Sequence, residues 1–316
     1  MPADPVIPVG RFAPSPTGAL HFGSLLTALA SWLDARAGGG RWLVRIEDID
    51  TPRVVPGAAD DILRTLEACG LYWDGTPVWQ SQRLELYAQV LEQLQQAGLL
   101  YLCRCSRSRL AATARRGPCG LIYPGYCRDA GLPLDQAGAL RLRTDAGEVH
   151  FTDRVQGKFK QSLHAEVGDF VLRRADGLYA YQLVVVVDDA LQQVTDIVRG
   201  ADLLDSTPRQ IYLQRLLGYP APSYAHVPLA VDAKGDKLSK LTHARAIDCT
   251  RAHLALWDAL EFLGQQPPDP LRGADVSSVL DWARQHWAMS QVPSVLHRQW
   301  PTPVDTAAGA IATPSS

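Results

Sequence analysis

The stretch RFAPSPTGALHFGS at residues 11–24 decides how this chain folds. Two prolines and a glycine at 14–18 exclude a helix there, so this segment predicts a turn. Residues 10–13 before it have the pattern of a short strand, and residues 24–37 after it have apolar side chains at helical spacing. A strand, a tight turn and a helix in this order predict the first unit of a doubly wound parallel sheet in an α/β fold.

The same alternation continues along the chain. Short apolar runs predict buried strands at 42–46, 183–187 and 226–231. Amphipathic patterns predict helices at 58–69, 84–97, 208–217, 252–263 and 276–287. Between about 101 and 180 the sequence is irregular and rich in Cys, Gly and Arg, which predicts an inserted subdomain.

These patterns divide the chain into five predicted parts. The two halves of a Rossmann-like domain are expected at 1–100 and 181–245, with the insertion at 101–180. A short helical region is expected at 246–301, and a small, polar, disordered tail at 302–316.

Composition excludes several classes of protein. Of the 316 residues, 47% are hydrophobic and 20% are charged, which favours a globular core over a disordered chain. The formal charge is -2, so a surface for nucleic acid must be a local basic patch. No apolar run reaches the roughly 18 residues of a membrane helix, and the first ten residues lack the features of a secretory signal. We expect a cytoplasmic monomer without a membrane partner.

The segment HFGS at 21–24 indicates a site for phosphate groups. A helix that begins near Ser24 directs N–H groups and the positive end of its dipole at an anion. Gly23 allows a ligand to approach closely, and His21 supplies a donor beside it. A structural turn with a satisfied histidine fits the local pattern equally well, so the pattern alone leaves both interpretations open.

A second cationic segment, KLSK, occupies residues 237–240. Lys237 and Lys240 can neutralise negative charge as pyrophosphate leaves a nucleotide. The alternative is a solvated surface loop, which such patterns form more often. The segment lacks the glycine spacing of a P-loop.

Together these motifs resemble those of class I aminoacyl-tRNA synthetases. HFGS stands where the family has HIGH, and KLSK stands where it has KMSKS. The opening RFAPSPTG resembles glutamyl members, as do RIEDID at 45–50, YQLVVVVDD at 181–189 and DIVRGADLL at 196–204. The resemblance covers about residues 9–245. It implies a ligase that activates L-glutamate with ATP and Mg²⁺.

After KLSK the chain departs from an ordinary glutamyl enzyme, because the residues up to Ser316 are too few for a large helical anticodon-binding region. The chain resembles a truncated branch of the family, which esterifies glutamate onto the queuosine base at the wobble position of tRNA(Asp). Two alternatives remain: a glutamyl-tRNA synthetase without an anticodon-binding domain, and a non-catalytic RNA-binding paralogue. The presence of His21 and both lysines favours an enzyme.

The resemblance also implies roles for single residues. A guanidinium can hold a carboxylate through two parallel hydrogen bonds, and a carboxylate can hold an ammonium. The residues implied for glutamate are Arg11, Phe12, Ala13, Pro14, Ser15, Glu47, Tyr181 and Arg199. Those implied for ATP are His21, Gly23, Ser24 and Lys240, and those implied for catalysis are His21, Lys237 and Lys240.

Four of the six cysteines lie between residues 103 and 127, and in a chain without a secretory signal such a cluster favours metal over disulfides. The truncated branch binds zinc through CxC, a tyrosine and a cysteine four residues later. Here these are Cys103, Cys105, Tyr123 and Cys127. Cys119 is a rival fourth ligand, and spacing does not decide between it and the tyrosine. One structural Zn²⁺ would stabilise the insertion, whereas the alternative is a set of unrelated thiols.

Three further features are expected to be structural. Asp188 and Asp189 would follow a strand and orient neighbouring backbone, with a metal pair as the alternative. Trp282 and Trp287 share a broad helix face and would pack in a core. The basic run from 104 to 116 would be a solvated face, although contact with tRNA phosphates is reasonable there.

Overall fold

In the computed structural model, which describes residues 7–236 and 245–300, strands and helices alternate along the chain. The strands are β1 (Val9–Phe12), β2 (Arg41–Ile46), β3 (Val78–Trp79), β4 (Leu100–Cys103), β5 (Arg116–Gly117), β6 (Gly120–Leu121), β7 (Ala139–Leu142), β8 (Glu148–Asp153), β9 (Gly157–Ser162), β10 (Phe170–Arg173), β11 (Asp196–Gly200), β12 (Ser223–Val227), β13 (Leu229–Val231) and β14 (His297–Gln299). The helices are α1 (Phe22–Ala37), α2 (Ala58–Ala68), α3 (Leu84–Gln96), α4 (Arg107–Thr113), α5 (Leu163–Glu166), α6 (Tyr181–Leu191), α7 (Thr207–Leu217), α8 (Ala252–Phe262) and α9 (Val276–His286).

A seven-stranded sheet with the order β3-β2-β1-β11-β12-β8-β9 forms the centre of the fold. Neighbouring strands from β3 to β8 are parallel, and the β8–β9 pair at the edge is antiparallel. Apolar residues of α1, α2, α8 and α9 form one buried cluster, and those of α3, α6 and α7 form another. The predicted α/β fold with a mainly parallel, doubly wound sheet is therefore confirmed.

Glycine allows the first helix to lie close to the sheet. A Cβ atom added at Gly10 in β1 would be 3.1 Å from the Cβ of Ala35 and 3.3 Å from the carbonyl oxygen of Ser31. Both of these atoms belong to α1. The close approach fixes the position of α1 directly behind the strand that precedes it.

The prediction of a strand at 183–187 is wrong, because these residues belong to α6. All five are buried, so the helix is apolar on every side over this segment and has no amphipathic period. A short apolar run of this kind does not distinguish a buried strand from a buried helix. Asp188 and Asp189 consequently lie in the last turns of a helix and not at a strand end.

The single strand predicted at 226–231 is divided into β12 and β13 by Pro228, which has no N–H to donate to a neighbouring strand. Within the described residues the predicted insertion contributes to three sheets, one of which is the two-stranded β5–β6 pair. Strands β4, β7 and β10 form a separate antiparallel sheet, whereas β8 and β9 join the central one. The boundaries at 101 and 180 remain a prediction.

After residue 245, α8 and α9 pack against α1, and β14 pairs in parallel with β13. Trp282 and Trp287 are partly buried and pack against the apolar cluster of α1, which agrees with the predicted packing role, although Trp287 lies just after α9 ends. The predicted tail at 302–316 lies outside the described residues. Within residues 7–236 and 245–300, no helix is both long enough and apolar enough to cross a bilayer.

Candidate active site

A cleft of about 760 Å³ opens beside β1 and β11, at the place where the strand order changes direction. Such a switch point is the usual position of a ligand site in open α/β sheets, and the volume suits a small molecule. The cleft is lined by every described residue predicted for glutamate or ATP, namely Arg11, Phe12, Ala13, Pro14, Ser15, His21, Gly23, Ser24, Glu47, Tyr181 and Arg199. Segments that are far apart in the chain thus share one site.

The N-terminus of α1 forms one end of the cleft. His21 is the N-cap residue, and its Nδ1 accepts the backbone N–H of Ser24 over 3.3 Å. Its Nε2 lies 3.0 Å from the Ser24 hydroxyl oxygen. No acidic side chain occupies the first turn of this helix, all of which the structure describes. The positive end of the helix dipole is therefore available to an anionic ligand.

Asp189 joins two arginines from neighbouring strands beneath the cleft. Its Oδ1 accepts from Arg11 Nε over 3.3 Å and from Arg45 Nη1 over 2.7 Å. All three residues are at most 3% exposed. Burial alone would raise the pKa of Asp189, but the two guanidinium groups hold it below its usual value. The carboxylate therefore stays ionised and fixes the direction of Arg11.

The carboxylate oxygens of Asp188 accept hydrogen bonds from side chains and not from backbone N–H groups of the described residues. Its Oδ2 accepts from Gln80 Nε2 and from the Tyr87 hydroxyl, both over 2.8 Å, and its Oδ1 accepts from Arg83 Nε over 2.6 Å. The prediction that this aspartate orients backbone is wrong. Because both oxygens already accept from protein groups, the pair of Asp188 and Asp189 is not arranged as a metal site.

Glu47 lies at the cleft just after β2, tied by its backbone N–H to the Pro14 carbonyl. Its Oε1 is 3.5 Å from Arg45 Nη2, and among the described residues this buried oxygen has no hydrogen-bond partner. Burial raises the pKa of Glu47 to about 7, although Arg45 and Arg11 act in the opposite direction. A buried carboxylate with an unused acceptor is complementary to a cationic group of a ligand.

Arg199 lies on β11 at the opposite side of the cleft floor. Its Nη1 donates to the Tyr181 hydroxyl over 3.3 Å, and its Nη2 donates to the Thr207 hydroxyl over 2.9 Å. Its Nε donates to His226 Nε2 over 3.0 Å, and Asp153 lies behind that histidine. His226 and Asp153 are not among the site residues predicted from the sequence. A histidine inside an apolar strand was the available signal, but its carboxylate partner is 73 residues away in the chain.

Lys237 and Lys240 lie outside the described residues. Some described residues before and after this gap lie at the cleft or beside one of its lining residues. Leu229 and Ala230 of β13 line it, and Ala246 forms an antiparallel bridge with His21.

Three cysteines of the insertion form a cluster that could hold a metal ion. The Sγ atoms of Cys103, Cys105 and Cys127 lie within 4.8 Å of one another. The Tyr123 hydroxyl lies 3.3 Å from the first of these sulfurs and 3.9 Å from the second. Cys119 is elsewhere, with its sulfur 3.1 Å from Gln161 Nε2. Burial, together with the neighbouring sulfurs, raises the pKa of Cys105 to about 11, so this thiol is protonated near neutral pH and metal binding would have to release its proton.

A doubly wound sheet, a helix N-terminus with the HxGx pattern and a ligand cleft at the switch point define the class I tRNA synthetase architecture. The family described as tRNA synthetases class I (E and Q), catalytic domain, matches residues 9–262. The chain therefore belongs to this family and is a ligase of the aminoacyl-tRNA synthetase type.

Two named relatives and one solved structure are similar to most of this chain. The chain is 59% identical over 287 residues to the glutamyl-Q tRNA(Asp) synthetase of Dechloromonas aromatica, covering 90% of this chain and 95% of that one. It is 56% identical over 285 residues to the protein of the same name from Ectopseudomonas mendocina, with the same coverage. The crystal structure of glutamate-tRNA synthetase from Elizabethkingia anophelis has the same fold, with a TM-score of 0.76 at 24% identity over 93% of this chain and 68% of that chain.

Proposed function

We propose that this ligase activates L-glutamate with ATP and transfers the glutamate to the queuosine base at the wobble position of tRNA(Asp). The choice of glutamate as substrate rests on the charges that line the cleft. These are the buried arginines Arg11 and Arg199 and the carboxylate of Glu47, whose buried Oε1 has no hydrogen-bond partner among the described residues. The relatives named glutamyl-Q tRNA(Asp) synthetase support the choice of acceptor.

The cleft suits an amino acid with a second carboxylate. Arg11 and Arg199 would bind the side-chain carboxylate of glutamate, and Glu47 would bind its ammonium. Because the Tyr181 hydroxyl accepts from Arg199, its own hydrogen can be donated to the same carboxylate. The floor of the pocket would be formed by the backbone of Phe12, Ala13, Pro14 and Ser15.

ATP would lie with its phosphates at the N-terminus of α1, close to His21 and Ser24, with Gly23 allowing close approach. Lys237 and Lys240 would neutralise the triphosphate, and Mg²⁺ would accompany it. The α-carboxylate of glutamate then attacks the α-phosphorus, and pyrophosphate leaves. Positioning and charge neutralisation are sufficient for this step, so no covalent bond to the protein is needed.

In the second step a hydroxyl of the queuosine cyclopentene ring attacks the acyl carbon of the adenylate. An ester C–O bond forms, the acyl–phosphate bond breaks, and the AMP phosphate can accept the hydroxyl proton. The protein would contribute by holding the adenylate in the cleft. The basic run near Arg107 and Arg109 would contact tRNA phosphates.

We also propose that Cys103, Cys105, Cys127 and Tyr123 hold one structural Zn²⁺. The three thiols and the phenol converge on one point, and sulfur-rich tetrahedral sets are typical of structural zinc sites. Such an ion would join the end of β4 to the loop before residue 127. We propose a cytoplasmic monomer, whose mass in solution can be measured by light scattering.

The test is transfer of radiolabelled glutamate to three substrates: tRNA(Asp) with queuosine, tRNA(Asp) without it, and tRNA(Glu). We expect label only in the first, located in the anticodon loop after nuclease digestion. Equal labelling of both tRNA(Asp) forms, or label at the 3′ end of tRNA(Glu), would exclude the proposed acceptor.

A further inference from the structure

A line of buried polar side chains runs from the cleft floor into the central sheet. It passes from Tyr181 to Arg199, then to His226 on β12 and Asp153 at the end of β8. The last three are 4%, 0% and 2% exposed. Water cannot satisfy groups at this depth, so each donor needs an acceptor within the protein.

The hydrogen-bond partners determine which ring nitrogen of His226 carries the proton. A guanidinium only donates, so His226 Nε2, 3.0 Å from Arg199 Nε, must accept. The ring proton then resides on Nδ1, which donates to Asp153 Oδ2 over 2.6 Å. Burial lowers the pKa of His226, and the charges of Arg199 and Arg11 lower it further. Asp153 acts in the opposite direction but does not outweigh them. A neutral ring in one tautomer is therefore required.

Asp153 is itself held in one orientation. Its Oδ1 accepts three backbone N–H groups, from Val155 over 3.0 Å, Gln156 over 2.9 Å and His226 over 3.1 Å. Its Oδ2 is directed to the His226 ring. Burial would raise the pKa of Asp153, but these hydrogen bonds keep it below its usual value. The carboxylate therefore selects the Nδ1–H tautomer of the ring.

We propose that Asp153 and His226 are positioning residues that orient Arg199 for the side-chain carboxylate of the substrate, an inference that rests on the proposed glutamate specificity. Acceptors surround the guanidinium, with His226 at Nε and Tyr181 at Nη1. Nη2 donates both to the Thr207 hydroxyl and to the Leu203 carbonyl. With these contacts made, an Nη1 hydrogen remains for the ligand at the cleft wall. The tautomer of a histidine that does not touch the substrate thus controls how the substrate is bound.

The sharpest test is Asp153→Asn, which is nearly isosteric. The amide oxygen is retained by the three backbone N–H groups, so the amide NH₂ faces the His226 ring. Nδ1 must then accept, the proton moves to Nε2, and two donors confront each other at Arg199. We expect the KM for glutamate in ATP–pyrophosphate exchange to rise by about tenfold or more, while the KM for ATP changes by less than about twofold.

Two variants of His226 complete the set. His226→Leu removes the acceptor, whereas His226→Gln can place its amide oxygen where Nε2 was. We expect the glutamine variant to have a KM for glutamate closer to that of the unaltered protein than the leucine variant does. Asp169→Asn is the matched control, since Asp169 is also buried, at 3% exposure, but accepts from the Thr144 N–H in the segment after β7, away from the central sheet. It should lower the melting temperature without changing the KM for glutamate.

Nitrogen-15 NMR of the histidine rings tests the proposed tautomer of His226 independently of enzyme activity. The His226 signals are assigned by their loss in His226→Gln. We expect the Nδ1–H form in the unaltered protein and the Nε2–H form in Asp153→Asn. An Nε2–H form in the unaltered protein, or an unchanged KM for glutamate in folded Asp153→Asn, would overturn the inference. Absence of glutamate-dependent exchange in the unaltered protein would instead overturn the proposed function.

Discussion

Arg45 Nη1 lies 2.7 Å from Asp189 Oδ1, and the two side chains are 0% and 4% exposed, although 144 residues separate them in the chain. The same Asp189 oxygen accepts from Arg11 at the cleft. This ion pair connects β2 with α6 and also supports a predicted glutamate-binding residue. It links the stability of the fold to the geometry of the site.

Asp189→Asn should therefore destabilise the protein. The change removes the nearest countercharge of the buried Arg45 and leaves only Glu47 and Asp188, at 3.5 and 3.8 Å. Removing one partner of a buried ion pair costs about 3–5 kcal/mol in comparable cases. Urea denaturation would measure the loss. The control is Asp281→Asn, which removes an exposed pair with Arg284 and should change the unfolding free energy by less than about 0.5 kcal/mol. Equal small losses in both variants would contradict a structural role for the buried pair.

The pH dependence of this effect has a definite sign. The pKa of Asp189 is below its usual value in the folded protein. Its contribution to stability is thus present above the unfolded pKa of about 3.9 and is lost as the pH falls through the lower folded value. The difference in unfolding free energy between the unaltered protein and Asp189→Asn should shrink in that acidic range.

Local patterns predicted the parts of the site that are close in sequence. The non-helical segment at 14–18 and the helix after it follow from proline, glycine and apolar spacing, and in the structure residues 14–18 lie outside any helix or strand and α1 follows them. The prediction for residues 183–187 was wrong because a helix that is buried on every side shows no hydrophobic periodicity in its sequence. His226 and Asp153 could not be paired because their contact depends on β12 and β8 lying side by side. Spacing left Cys119 and Tyr123 as equal rivals, and the three-dimensional arrangement separates them.

The cysteine cluster gives a prediction with an internal control. Cys127→Ser should abolish bound zinc, measured by mass spectrometry of the purified protein, and should lower the melting temperature. Cys119→Ser should retain zinc, because the Cys119 sulfur contacts Gln161 and lies apart from the cluster. Tyr123→Phe should weaken zinc retention against a chelator. Loss of zinc in Cys119→Ser together with retention in Tyr123→Phe would show that Cys119, and not Tyr123, is the fourth ligand.

Lys240→Ala should lower ATP–pyrophosphate exchange strongly, by about 100-fold or more, because a charge that neutralises the leaving pyrophosphate is lost. Binding of glutamate alone, measured by calorimetry, should be unchanged. Lys158→Ala on the exposed edge strand β9 removes one lysine far along the chain from this segment and should have no effect on exchange. If glutamate binding falls in step with exchange, the lysine is structural, and circular dichroism would show the altered fold.

Glu47 predicts how glutamate binding depends on pH. Its pKa is about 7 in the ligand-free cleft, raised from 4.5 chiefly by burial. The ammonium of glutamate stays charged throughout this range and needs the ionised carboxylate. Affinity for glutamate, measured by calorimetry without ATP, should therefore improve by about tenfold between pH 6 and pH 8.

The raised pKa of Glu47 also makes the stability of the ligand-free protein depend on pH. A raised folded pKa means that protonated Glu47 contributes stability that is complete below 4.5 and is lost as the pH rises through about 7. The melting temperature should therefore fall across this window and be restored by saturating glutamate. Glu47→Gln should bind glutamate weakly with no pH dependence in this range and should not show the fall. A variant that kept the slope of the unaltered protein would mean that another group, and not Glu47, holds the ammonium.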